Sequence, residues 1–159
     1  RGSVFQIFLE QIKKQQPITV TDSRMKRFIM SISEATNLIL EVTHMAKDGE
    51  VFILKMPSVQ ILELAKCMVQ VCKENIPNGR ESSKIKTSKV REGERFNEFL
   101  ITKEEIPFCQ DIGKMYKISK EISKKSKISE IGFSSDTAPK ISQKKLKKII
   151  LELLKNIDE

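Results

Sequence analysis

Apolar residues recur at helical spacing in four stretches of the chain, with short β-branched or alternating runs between them. Val4, Phe5, Phe8, Leu9 and Ile12 lie close to one helical face. Pro17 closes that segment, because it lacks the N–H a continuing helix needs. Ala35, Leu38, Ile39, Val42 and Met45 repeat the pattern and predict a second buried face. Ser31 and Glu34 stand ahead of it as S-x-x-E, a capping box in which each side chain satisfies a backbone N–H at the helix entrance. Asp48-Gly49 supplies its stop, since glycine readily takes the left-handed conformation of a helix end. A third helix is predicted over 59–74, with Ser58 as N-cap and Ile61, Leu62, Ala65, Met68, Val69 and Cys72 inward. The last begins near Ser142 and sets Leu146, Ile149, Ile150, Leu153, Leu154 and Ile157 on one side.

Between these lie extended segments and turns. Residues 18–21 are short and β-branched, and 22–28 form a basic turn carrying Arg24, Lys26 and Arg27. Residues 50–56, E-V-F-I-L-K-M, are too short for an independent helix and read as a buried strand. Residues 75–83 are rich in turn formers, and 84–90 alternate as a strand. Gly93 predicts a sharp turn and Glu94 the start of a helix to Leu100. The prediction is thus a single α+β lobe over 1–159. Its core is 1–118, a mobile Lys/Ser-rich loop follows over 119–135, and a terminal helix spans 142–157.

Composition narrows the class. At 159 residues the chain can bury one real core. No apolar run reaches the roughly 18 residues that span a bilayer, which argues against a membrane segment. Cys67, Cys72 and Cys109 are odd in number and lack metal-ligand spacing, and His44 is the one histidine. Neither a disulfide framework nor a metal site is expected, and a reducing cytoplasm fits. The net charge is +8, and residues 114–148 hold eleven lysines against Glu121, Glu130 and Asp136. With one tyrosine and no tryptophan there is little to stack on bases, so the block reads as a solvated surface before a nucleic-acid one.

Two stretches suggest anion chemistry. Arg24, Lys26 and Arg27 stand just before a helix N-terminus, where unpaired N–H groups and the helix dipole favour negative charge. The same residues also read as a solvated turn before an ordinary amphipathic helix. Likewise, R-E-G-E at 91–94 is either a ligand-binding turn or a plain turn before a helix.

The pattern T-x-T-D-x-x-M-x-R-F-x-M-S-I-x-E-A across 19–35 resembles the later half of the CapD-like nucleotide-sugar dehydratases and epimerases. These form a branch of the extended short-chain dehydrogenase/reductases that includes UDP-N-acetylglucosamine 4,6-dehydratases. R-G-S-V at 1–4, E-V-F-I-L-K-M-P-S at 50–58 and R-E-G-E-R-F-N-E at 91–98 carry the same resemblance. The chain departs from the family at Glu92, where proline is usual, and at Arg95, where lysine is usual.

The resemblance implies an α/β fold: the C-terminal, substrate-binding portion of an extended Rossmann-type NAD(P)-binding fold, without its N-terminal dinucleotide-binding half. It implies a sugar-nucleotide clamp of Arg1, Gly2, Ser3, Val4, Arg27 and Arg91, with Glu94 orienting Arg91 or meeting the sugar nucleotide. A guanidinium suits a diphosphate because its planar fork donates two parallel hydrogen bonds. Ser134-Ser135-Asp136 resembles a family loop that can reach substrate. NAD(P) is expected in the complete enzyme and none on this chain alone, because its six glycines are scattered and form no G-x-G-x-x-G. No catalytic residue is assigned here. Tyr116 and Lys120 match Y-x-x-x-K as a string, but in a strand they would not share a helical face. The expected partners are a UDP-sugar, the N-terminal Rossmann half in the same or a separate chain, and further copies in a homo-oligomer. The alternative reading is a non-catalytic interaction module that docks through its basic tail.

Overall fold

In the computed structural model, residues 3–76, 84–90, 92–122 and 128–155 are described. The chain folds into two compact units. The first comprises Arg1–Arg27, Val59–Phe96 and Ile141–Glu159, and the second Phe28–Ser58 and Asn97–Lys140.

The first unit is built from α1 (Val4–Lys13), β1 (Ile18–Val20), α3 (Ile61–Asn75), β5 (Ile85–Thr87) and α4 (Gln143–Lys155). Ser3 opens α1 with a capping box to Gln6. Phe8, Leu9 and Ile12 are buried, as their spacing predicts. Helix α3 lies against α1, β1 and α4, so apolar residues surround most of it. Leu64, Ala65, Met68 and Cys72 have no exposed surface. β1 and β5 pair in parallel, Ile18 opposite Ile85 and Val20 opposite Thr87. Helix α4 buries Leu146, Ile149, Ile150 and Leu154, while Ile157 lies outside the described residues.

The second unit contains α2 (Ile32–Thr43), a three-stranded antiparallel sheet and a two-stranded one. The larger sheet has the order β3-β8-β7, from Val51–Leu54, Met115–Ile118 and Cys109–Asp111. Val51 faces Ile118, which in turn faces Cys109. The smaller sheet joins β6 (Phe99–Ile101) to β9 (Phe133–Ser134). Ile101, Cys109, Phe133 and Ala138 form the core of this unit, and Phe28, Ile53 and Tyr116 pack around it. The rings of Phe28 and Tyr116 approach Phe133 with centroids 5.2 and 5.4 Å away. Two further short strands, β2 (Lys26–Phe28) and β4 (Ser58–Gln60), carry the chain across the boundary between units.

Five expectations need correction. Residues 94–100 are not helical: the backbone groups that an i→i−4 ladder would need are taken by distant partners. The Phe96 carbonyl accepts from the Lys26 N–H at 2.9 Å. The Glu98 N–H donates to Ser135 Oγ at 3.0 Å, and the Glu98 carbonyl accepts from the Ser135 N–H at 2.8 Å. Phe99 and Ile101 then pair as β6. Second, residues 26–28 of the expected basic turn are a strand. Third, Ser58 does not cap α3. Its N–H donates to the Pro139 carbonyl at 2.9 Å and it bridges to Lys140, so it is drawn into β structure and Gln60 precedes the helix. Fourth, β3 is not buried: Val51 is exposed and the other three residues are half-buried.

The fifth concerns α2. Its capping box is formed, with the Glu34 N–H on Ser31 Oγ at 3.1 Å and the Ser31 N–H on Glu34 Oε2 at 2.8 Å. Yet the helix buries no residue and ends at Thr43, before Gly49. Leu38 and Val42 are half-buried, and Ile32, Ile39 and Leu40 are 70, 65 and 57% exposed. The period was right for a helix, but a period does not show which body covers the apolar side.

Candidate functional site

The two stretches that sequence reading singled out meet in the first unit. Asp22 closes the turn after β1 by accepting the Arg24 N–H at 2.8 Å. Its carboxylate also takes the Arg24 guanidinium on both oxygens, at 3.0 and 2.9 Å. That fork holds Arg24 over the Phe96 ring, 4.9 Å from Cζ to the centroid. Two residues on, the Lys26 N–H donates to the Phe96 carbonyl at 2.9 Å, and Arg27 Nη1 reaches the same oxygen at 3.2 Å. The segment after R-E-G-E is therefore fastened to β2 by a backbone bond and a guanidinium bond, and to the turn before β2 by a cation–π contact.

Arg27 does more here than face solvent. Besides Phe96, Nη1 donates to the Lys26 carbonyl at 2.8 Å, and Nη2 lies 3.8 Å from Met25 Sδ. These bonds fix the plane of its guanidinium. Ser3 is engaged as the N-cap of α1: its Oγ accepts from the Phe5 N–H at 3.4 Å, and its N–H donates to Gln6 Oε1 at 3.1 Å. Val4 is the first residue of α1. Gly93 has φ +83, the sharp turn its motif requires, and Glu94 follows it half-buried. Arg1, Gly2 and Arg91 lie outside the described residues. Sequence reading missed Phe96. The run of Arg95 and Phe96 after R-E-G-E was the available signal, since an aromatic ring beside clustered arginines is a natural cation–π partner.

The Arg24 hydrogen bonds hold the Asp22 carboxyl down, to about 2 from 3.8, with the Arg24 backbone N–H adding to the effect. A depressed carboxyl contributes stability that is present above the unfolded value and lost as pH falls through the folded one. The pair should therefore persist throughout the neutral and mildly acid range and open only near pH 2. A carbon-detected NMR titration should give Asp22 a midpoint of about 2. Arg24→Ala should move it part of the way back towards 3.8, since the backbone N–H at that position still donates to Asp22, and an unchanged midpoint would remove the Arg24 guanidinium as a cause.

Other groups carry less chemistry. Burial pushes the Cys72 and Cys109 thiols up to about 11 and raises Cys67 as well, so none is a thiolate at neutral pH. In the second unit Lys55 pairs with Asp111 at 2.6 Å and sits 4.5 Å above the Tyr116 ring. Tyr116 is a β8 residue, its phenol raised chiefly by burial. Ser134 and Ser135 are buried and hydrogen-bonded within the unit, while Asp136 after them is exposed. An open hollow in the first unit is lined by Glu63, Lys66, Cys67, Gln70, Gln143 and Lys147, none of them a candidate residue.

A dinucleotide cradle needs glycines that open a helix directly after a strand. Gly49, Gly93, Gly113 and Gly132 all have positive φ but stand in four separate turns, none of them at a helix start. Among the described residues, no cluster of side chains has the makings of a metal site, and no helix is long and apolar enough to cross a membrane.

Residues 1–120 match the family model for "polysaccharide biosynthesis protein". The chain is 38% identical over 153 residues to an uncharacterized membrane protein of Methanocaldococcus jannaschii, covering 96% of this chain and 46% of that one. Over 118 residues, 74% of this chain, it is 38% identical to the capsular polysaccharide biosynthesis protein CapD of Staphylococcus aureus, of which it spans 19%. Over the same length it is 32% identical to a UDP-glucose 4-epimerase of Rickettsia canadensis, of which it spans 33%. The X-ray structure of Pen from Bacillus thuringiensis superposes with a TM-score of 0.78 at 36% identity, covering 97% of this chain and 46% of Pen. The mixed α/β fold is thus that of part of a Rossmann-like protein, and the chain spans less than half the length of these relatives.

Proposed function

Since the chain belongs to the polysaccharide biosynthesis protein family, we propose that it is the sugar-nucleotide-binding portion of an NAD(P)-dependent nucleotide-sugar 4,6-dehydratase or epimerase. Its substrate is a UDP-sugar of the UDP-N-acetylglucosamine kind. The observation that carries the reading is the fastening of the 92–96 segment to β2 through the Phe96 carbonyl. It holds the segment that follows Arg91 in the sequence against Arg27, which supports reading the two as parts of one diphosphate clamp. The nicotinamide supplies hydride chemistry at the sugar and is held by the complementary Rossmann half. The work of this chain is to bind and orient: Arg91 and Arg27 take the diphosphate, and Glu94 positions Arg91. Arg1, Gly2, Ser3 and Val4 close over the nucleotide at the start of α1. Alone, the chain turns over no substrate. It acts in the cytoplasm, in a homo-oligomer of the completed enzyme.

A charge-assisted hydrogen bond contributes about 1.5–3 kcal/mol. Arg91→Ala in the enzyme reconstituted with its Rossmann half should therefore weaken UDP-N-acetylglucosamine binding roughly ten- to a hundredfold, at about 1.4 kcal/mol per decade. Arg91→Lys should recover only part of the loss, because a point charge cannot reproduce the fork. Glu92→Pro should be neutral or tighten binding, since it stiffens the turn and removes a carboxylate facing the phosphates. Calorimetric titration reads all three. Undiminished affinity in Arg91→Ala would reduce Arg91 to a solvated turn residue and move the clamp to Arg27.

A further inference from the structure

Helix α4 carries charge of almost one sign. It holds Lys144, Lys145, Lys147, Lys148 and Lys155 against the carboxylate of Glu152. The other helices are balanced or acidic: α1 has Glu10 and Lys13, α2 has Glu34 and Glu41, and α3 has two lysines and two glutamates. Helix α4 packs on α3 and buries Leu146, Ile149, Ile150 and Leu154, which fixes the direction its polar side takes. On that side Lys144, Lys148, Leu151 and Lys155 follow at spacings of four, three and four, all of them exposed. Lys145 and Lys147 flank the stripe and are half-buried.

Helix stability does not account for these lysines. Lys144 and Lys145 stand in the first turn, where the helix dipole disfavours cations, and no acidic residue stands with them. Lys144 lies three residues from Lys147 and four from Lys148, and like charges at those spacings repel on a helix. Lys148 and Glu152 are 3.8 Å apart with side chains 77 and 42% exposed, which is too long for a hydrogen bond and open to screening by water. Lys144 and Lys155 make no ion pair among the described residues. The second unit treats its lysines differently: Lys55 meets Asp111 at 2.6 Å and Lys117 meets Glu50 at 2.9 Å. A row of cations that costs its own helix stability, and finds little counter-charge in the chain, suits a partner that brings the negative charge.

We propose that the Lys144–Lys148–Leu151–Lys155 stripe docks the first unit on the surface of an anionic lipid bilayer. The stripe runs straight for about 16 Å, at 1.5 Å per residue, so all three ammonium groups can meet one flat surface together. Long lysine stems carry their charges out to a headgroup layer as mobile point charges. Leu151 is 37% exposed in the middle of the stripe, where a bilayer offers apolar contact between the headgroups. A nucleic acid would leave that leucine without use, and α4 offers neither an arginine fork for bases nor a ring to stack on them. Beside the stripe, Gln143 and Lys147 of α4 and Lys66 and Gln70 of α3 line an open hollow, a recess with amide and ammonium donors for a headgroup phosphate. The carboxylate there, Glu63, is neutralised by Lys66 at 3.2 Å. Contact of this kind lies on the membrane and needs no spanning helix. The inference stands apart from the functional reading, since it needs no nucleotide sugar.

The test is co-sedimentation of this 159-residue chain with vesicles of phosphatidylcholine containing phosphatidylserine, and with vesicles of phosphatidylcholine alone. The chain should sediment with the first and not the second at about 0.1 M salt, and be released at about 1 M, where charges are screened beyond about 3 Å. Each lysine near an anionic surface contributes about 1 kcal/mol, or about fivefold. Lys144→Gln, Lys148→Gln and Lys155→Gln combined should therefore weaken binding roughly a hundredfold. Lys14→Gln, Lys84→Gln and Lys89→Gln combined remove the same charge from exposed positions off α4, and should leave binding within about threefold. Leu151→Ser should weaken it about threefold. The melting temperature of the α4 triple variant should equal or exceed the parent's, because the change relieves repulsion, and this separates lost docking from lost folding. Failure of the parent to sediment with the anionic vesicles, or equal sedimentation with the neutral ones, overturns the proposal. So does an equal loss in the two triple variants, or a lower melting temperature in the α4 variant, which would give the lysines to the fold. Tighter binding to a mixed-sequence DNA duplex than to the anionic vesicles, unchanged in Leu151→Ser, overturns it in favour of nucleic acid.

Discussion

Gly132→Ala should destabilise the second unit by more than about 2 kcal/mol, a large loss for one methyl group. Two causes act together. Gly132 has φ +91, a backbone conformation that costs an L-residue of order 1–3 kcal/mol. An added Cβ would also meet the Ile101 carbonyl oxygen, with the Thr102 carbonyl carbon 3.4 Å away. That oxygen cannot yield cheaply, because Ile101 is fully buried and its strand pairs with Phe133, the residue next to the glycine. Moving either strand would also disturb the bond from the Gly132 N–H to the Ser129 carbonyl, 2.8 Å long. Gly93→Ala is the control, since Gly93 has a similar φ of +83 but nothing within 4 Å of the added atom. Urea denaturation should show Gly132→Ala losing clearly more than Gly93→Ala. Equal losses would mean that strain alone matters and that β6 gives way.

Leu64→Ala should cost about 2–5 kcal/mol, as for other fully buried leucines. Leu64 has no exposed surface on α3, the helix that α1, β1 and α4 all pack against. A cavity there has rigid walls on several sides and little room to collapse. Ile39→Ala removes the same number of atoms, yet it should change stability by about 0.5 kcal/mol or less, because Ile39 is 65% exposed. Thermal melts of the two variants compare them directly. A comparable loss at Ile39 would show that α2 is covered within this chain, contrary to its exposure.

The contrast between those two helices marks the limit of reading the chain from its pattern. The apolar repeat of α3 and that of α2 predict helices equally well, and both are helices. Periodicity reports an amphipathic segment; burial depends on what is present to receive it, which lies outside the segment. Capping boxes were legible because both partners sit within three residues, at Ser31 with Glu34. The bonds that turned 94–100 away from helix were not, because the Phe96 carbonyl is claimed from β2, 69 residues earlier in the case of Arg27. The candidate site divides the same way. R-E-G-E and the basic stretch at 22–28 were each visible as local motifs, while their joining through Phe96 is tertiary and left no trace in either. The place of Ser58 in β structure likewise depends on Pro139 and Lys140, far along the chain.

The path of the chain between the two units also governs how the protein can be made and cut. Neither unit is a continuous stretch: the polypeptide changes unit after Arg27, after Ser58, after Phe96 and after Lys140. A gene fragment encoding either unit alone therefore cannot be written without splicing distant segments together. On the ribosome, α3 emerges with its α4 side bare and stays so until α4 has been translated. The first unit thus closes only after the whole second unit has been synthesised, and a nascent chain stalled before Gln143 presents an apolar helix to whatever chaperone is near.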